Sequence, residues 1–158
     1  ADKRGPSHAI PLTYSRDDSD RFHIPANLYL LGMMNTADRS LAMVDYALRR
    51  RFSFIQLEPA FQSDRFTDYL ISAGASEELV ARIVDRFTEL NLKIRDERQS
   101  LGPGFEMGHS YFVPHDEDED PDEEWYEAVV RSEIQPLLHE YWFDQPEHVA
   151  DLVSRLLR

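Results

Sequence analysis

Cysteine is absent from the 158 residues, which excludes disulfide frameworks, thiolate zinc sites and cysteine nucleophiles, and suits a reducing compartment. Apolar runs of the length a spanning helix needs, about eighteen residues, are also missing. The charged start Ala1-Asp2-Lys3-Arg4 leads into no apolar signal core. The expectation is a cytoplasmic protein with no membrane partner. Positive charge is scarce as well: 17 basic side chains face 30 acidic ones, for a net charge of −13. Phosphate backbones demand positive surface, so this chain does not coat nucleic acid by bulk attraction. Glycine occurs only six times and never in the G-x-x-x-x-G-K spacing that cradles phosphates.

What is present suffices for a core, with 42% hydrophobic residues. The charge is divided unevenly. Residues 1–60 carry 8 basic and 7 acidic side chains, whereas residues 61–158 carry 9 and 23. Two regions with different partners are implied. In the first, Ile10, Leu12 and Tyr14 alternate with Pro11 and Thr13, Asp17 to Asp20 offer turn chemistry, and Phe22 and Ile24 return, so a hairpin is predicted. Asn27 to Met34 is a nearly continuous apolar run, the pattern of a strand buried on both faces of a parallel sheet. Asp45 caps a short predicted helix through Arg50, and Phe52 to Leu57 alternates as a further strand until Pro59. Strand, helix, strand outlines an α/β fragment.

Beyond Pro59 the period becomes helical. Phe66, Tyr69, Leu70 and Ala73 share a face that Gly74 ends. Leu79, Ile83, Phe87, Leu90 and Ile94 line a second helix, opened by Ser76 with Glu77 and Glu78 in its first turn. A glycine-bearing stretch, Leu101 to Val113, leads through an acidic run into a third helix carrying Trp125, Val129, Ile134, Leu137, Leu138 and Tyr141, which Pro136 should kink or split. Val149, Leu152, Val153 and Leu156 make a closing helix. Trp125, Trp142, Tyr111, Tyr126 and Tyr141 read as core. Asp116, Asp118, Asp120 and Glu127 mimic EF-hand spacing, but Pro121 stands where that loop needs glycine, so the run reads as a solvated loop that precharges the next helix.

The most specific pattern is GMMNTADRSLAMVDYALRRRFSF, Gly32 to Phe54. Together with DKRG, PLTYS, FHIPANLYLLG, GHSYF at 108–112 and EYWFDQPEHV, it resembles the McrB-like AAA+ proteins, nucleotide-hydrolysing motors of modification-dependent restriction systems. The resemblance runs over most of the chain. It implies an α/β fragment, the C-terminal part of an AAA+ parallel-sheet core, at residues 1–60, followed by an all-α helical lid subdomain at residues 61–158. In that family the phosphate loop and the acidic Mg²⁺ pair lie upstream of DKRG, so this chain alone is expected to be inactive and to hold no cofactor or metal tightly.

The same resemblance implies the site. Asn35 would be sensor 1, orienting the attacking water in cis, and Arg50 or Arg51 would be the arginine finger that offsets transition-state charge in trans. Asp38, Arg39, Arg49 and His109 would bind nucleotide or support it. Thr36 stands at the lysine position of the guanine-reading N-K-x-D motif, which favours the sensor reading of Asn35. Bland alternatives stay open: Asp38 as a turn or helix cap, Arg39 paired with Asp38, the arginines as a solvated helix end, and His109 as a structural residue.

The intact protein would then bind GTP or ATP with Mg²⁺, assemble as a homo-oligomeric AAA+ ring, a hexamer, and drive a McrC-type endonuclease on modified DNA read by a separate domain. The rival reading is a non-enzymatic protein-interaction module whose nucleotide motifs are vestigial. A MoxR-type AAA+ remodeller is a third.

Overall fold

The computed structural model describes residues 3–14, 21–35, 50–97, 100–114 and 120–158. Asp38, Arg39 and Arg49, and the helix expected from Asp45, lie outside the described residues. The chain divides into two compact units, Ala1–Ile55 and Gln56–Arg158.

In the first unit, a 3₁₀ turn at Pro6–His8 precedes β1 (Ile10–Pro11), which pairs antiparallel with β2 (Arg21–Phe22) in the register Ile10 to Phe22. This short ladder sits where the hairpin was expected. The parallel sheet core is not found: among the described residues the sheet is this one antiparallel pair. Asn27–Met34 and Phe52–Leu57 form no strand, and Leu31, Met33 and Leu57 are 94%, 96% and 90% exposed.

For the first of these runs the physical reason is visible in its backbone partners. An apolar run becomes a buried strand only where neighbouring strands take up its carbonyls and amides. Here the Arg4 guanidinium donates to the carbonyls of Ala26 and Leu28 and lies 5.8 Å from the centre of the Tyr29 ring. Alternate carbonyls that a ladder would have used bond to a side chain instead. The fold is therefore mostly helical with a small open hairpin, and the expected α/β sheet core is withdrawn.

In the second unit, α1 (Asp64–Ser72) buries Phe66 and Leu70. It ends because Gly74 adopts φ +109°, a conformation costly for any residue with a Cβ. The Ala75 and Gly74 amides then close back on the Leu70 and Ile71 carbonyls, at 3.0 Å each. α2 (Glu77–Asp96) starts where the Ser76 hydroxyl accepts from the Leu79 amide at 3.2 Å. Glu77 and Glu78 at its start and Lys93 and Arg95 at its end complement the helix dipole. Its Leu79, Ile83, Phe87, Leu90 and Ile94 are all buried.

α3 (Glu123–Val129) is capped by the Asp122 carboxylate, which accepts from the Trp125 amide at 2.8 Å. It continues through a π segment, Val130–Ile134, into α4 (Gln135–Tyr141). Pro136 explains the break, because it has no amide to donate to the carbonyl four residues back, and the wider turn before it absorbs the defect. α5 (Pro146–Leu156) closes the unit by burying Val149, Leu152, Val153 and Leu156. The Tyr126 hydroxyl reaches across to donate to the Leu156 carbonyl at 2.7 Å, tying α3 to the last turn of α5.

Burial pushes the Tyr126 phenol up from 10.0 to about 12. The native state thus keeps a proton that the unfolded chain gives up, and stability present below pH 10 is lost as pH rises toward about 12. Tyr126→Phe should cost about 1 kcal/mol at neutral pH through the lost hydrogen bond. It should also flatten the alkaline decline. Urea midpoints of both chains across that pH range check this, and parallel declines would refute it.

Candidate functional site

Three side chains of the helical unit, Asn91, Arg95 and His109, make their polar contacts at the stretch between α2 and α3. This stretch turns at Gly102, runs through a 3₁₀ turn at Pro103–Phe105, and makes a second one at His109–Phe112. It contributes Met107 and Phe112 to the core. Phe112 lies 4.5 Å from Phe87 between ring centres, and also meets Phe61, Trp125 and Tyr126.

Two residues of α2, one turn apart on the same face, hold this loop. Asn91 is buried on the apolar stripe and makes a two-way bond with Met107: its amide donates to the Met107 carbonyl at 2.9 Å, and its carbonyl accepts from the Met107 amide at 2.7 Å. Arg95 grips Glu106 with two hydrogen bonds at 2.5 and 3.0 Å. The Glu106 side chain is only 4% exposed, so its charge is removed from water and needs this paired guanidinium. Arg95 is correspondingly raised above its ordinary pKa, first by the hydrogen bond to Glu106 and then by that carboxylate's charge, with Glu58 and Asp96 adding to it.

His109 completes the arrangement. Its Nδ1 accepts from the Ala60 amide at 3.1 Å, across 49 residues of sequence. Its ring stands edge-on to Phe61 and Phe66, with centres 6.3 and 5.6 Å away. Phe61 is itself buried and stacks on Phe87 at 5.5 Å. The chain arriving from Gln56 is thereby fastened where it joins the helices.

Of the seven candidate residues, His109 is half-buried in the helical unit. Asn35, Arg50 and Arg51 are exposed in the first unit, and Asn35 and Arg50 each interact with a neighbouring group. Asp38, Arg39 and Arg49 lie outside the described residues. Among the described residues no cluster of His, Asp and Glu has the grouping of a metal site. No helix among the described residues is long and apolar enough to cross a membrane.

The reading of the sequence missed Asn91, Arg95 and Glu106. Asn91 was detectable as a polar residue four positions after Phe87, on the face that also carries Leu79 and Ile83. Nothing local marked Glu106 as buried.

A groove of about 520 Å³ runs between α1 and α2, lined by Gln62, Thr67, Ile71, Val80, Asp85 and Thr88 among others. None of the candidate residues lines it.

Residues 82–150 match the family described as McrB, alpha-helical lid domain. Over 157 residues, 99% of this chain, the sequence is 48% identical to the Type IV methyl-directed restriction enzyme EcoKMcrB subunit of Escherichia coli (strain K12). The chain covers 34% of that relative, and so spans about a third of its length.

Asn91→Leu should remove both partners of the buried Met107 peptide groups at similar side-chain volume. Each stranded group costs about 1–3 kcal/mol, so the loss should far exceed that of an exposed substitution such as Leu92→Asn on the same helix. Chemical denaturation of both variants decides it, and an unchanged midpoint for Asn91→Leu would show that the bonds carry no net stability.

Proposed function

We propose that the helical unit is the lid of a McrB-like restriction-system subunit, which its match to the McrB lid family and its 48% identity to such a subunit support, and that this lid is a non-catalytic interaction module. One observation carries the reading. Four polar side chains of the 102–113 loop and its supports are spent on the unit's own backbone and charges: Asn91 on Met107, Arg95 and Glu106 on each other, and His109 Nδ1 on Ala60. A module whose polar groups close on one another acts by being a rigid body against which other parts move.

In the longer protein, the lid would belong to a nucleotide hydrolase using GTP or ATP with Mg²⁺, working as a homo-oligomeric ring with a nuclease partner of the McrC type on modified DNA. Asn35 would there orient water, and Arg50 or Arg51 would reach a neighbouring copy. The exposure of Asn35, Arg50 and Arg51 supports this assignment, since residues that meet a triphosphate must be reachable. Asp38, Arg39 and Arg49 would support the same site. The identity to a restriction subunit favours this setting over a MoxR-type remodeller.

The purified chain, mixed with Mg²⁺ and either GTP or ATP, should release phosphate no faster than buffer. In the longer protein, Asn35→Ala should reduce turnover by about 10² or more while nucleotide binding persists. Turnover by the chain alone that disappears in its own Asn35→Ala variant would overturn the non-catalytic reading.

A further inference from the structure

From the path of the polymer into the helical unit, we infer that His109 is a positioning residue that sets where the segment arriving from the first unit is clamped to the lid. The inference rests on the reading of this unit as a lid. Residues 51–58 are exposed and form no helix or strand. Burial begins at Pro59 and Ala60, and Phe61 is fully inserted among Phe66, Phe87 and Phe112. The Ala60 amide, the last backbone donor before that plug, goes to His109 Nδ1.

The clamp has a rigid backing. His109 follows Met107 by two residues, and Met107 is bonded in both directions to Asn91 of α2. One turn further along α2, Arg95 holds Glu106 and also feels the charge of Glu58, a residue of the arriving segment. Segment and loop therefore meet the same face of the same helix. A displacement of the segment would pass through Ala60, His109 and Met107 to α2 by hydrogen bonds, and through Phe61 and Phe112 to α3 by ring packing.

The role asked of His109 is that of an acceptor, which separates it from ring packing. His109→Phe keeps an aromatic ring between Phe61 and Phe66 and removes the acceptor. His109→Asn loses the ring and can present an oxygen near the place of Nδ1. The chain has no cysteine, so Leu57→Cys on the arriving segment and Phe143→Cys, both at exposed positions of the helical unit, give a clean dye pair on the full chain.

The distribution of dye separations should widen in His109→Phe and stay as in the parent in His109→Asn, while the emission of Trp125 and Trp142 reports an intact core. Widening in His109→Asn, or no widening in His109→Phe, overturns the proposal. Amide exchange on the unsubstituted chain provides a second measurement that survives a folding defect in the variants. The Ala60 amide should exchange at least about fivefold more slowly than those of Gln56 and Leu57. Equal rates would overturn the clamp. Neither measurement uses nucleotide, so their failure leaves the hydrolysis assay to judge the functional reading separately.

Discussion

Phe112 packs against Phe87 at 4.5 Å, and the rest of the helical unit is arranged around that contact because it brings a loop residue into the centre of a helical core. Phe112 touches Phe61 from the arriving segment, Phe87 from α2, and Trp125 and Tyr126 from α3. Three stretches far apart in sequence are thereby fixed by one ring. Fully burying a phenylalanine contributes about 1.5–3 kcal/mol, which is a large part of the stability of a domain this size. The aromatic pairs meet mostly edge to face, an arrangement that adds directional preference to what would otherwise be unspecific burial.

Bringing that loop inward carries a polar cost that the sequence meets locally. A loop lacks the hydrogen-bond ladder of a helix, so its buried peptide groups must find partners elsewhere. Asn91 supplies both for Met107, and Arg95 neutralises the carboxylate that enters beside it. No buried side-chain nitrogen or oxygen among the described residues lacks a partner. The apolar contact and the polar closure depend on each other: Phe112 cannot reach Phe87 unless the Met107 backbone can leave water.

This division also explains which features were legible in the sequence. Helices α1, α2, α3 and α5 were, because their signals are local: Ser76 opening α2, an acidic run leading into α3, Gly74 as a terminator, and apolar residues at helical spacing. The disturbance at Pro136 was legible for the same reason. The loop's role was not, since the pairings Asn91 to Met107 and His109 to Ala60 join positions 16 and 49 residues apart and leave no periodic trace. The GHSYF motif drew attention to His109 but not to the amide it accepts. In the first unit, the apolar run Asn27–Met34 suggested a buried strand, yet its Leu28 carbonyl, and that of Ala26 just before it, bond to Arg4. Periodicity records the wish to be buried; the partners that would grant it lie elsewhere in sequence.

The consequence for the lid is mechanical. A bundle held only by apolar stripes can let helices slide, because dispersion contacts are many and individually weak. Here the incoming segment, the loop and α2 are joined by directional bonds, and α3 is joined to α5 by the Tyr126 hydroxyl and to α2 by the paired hydrogen bonds of Arg82 and Glu123 at 2.6 and 2.9 Å. The Arg82 pair is on the surface and contributes little energy, whereas the Asn91 and Tyr126 bonds are buried and costly to break without replacement. Directional bonds therefore concentrate along the line from Ala60 to α2, whereas the residues 51–58 that precede it are exposed and form no helix or strand.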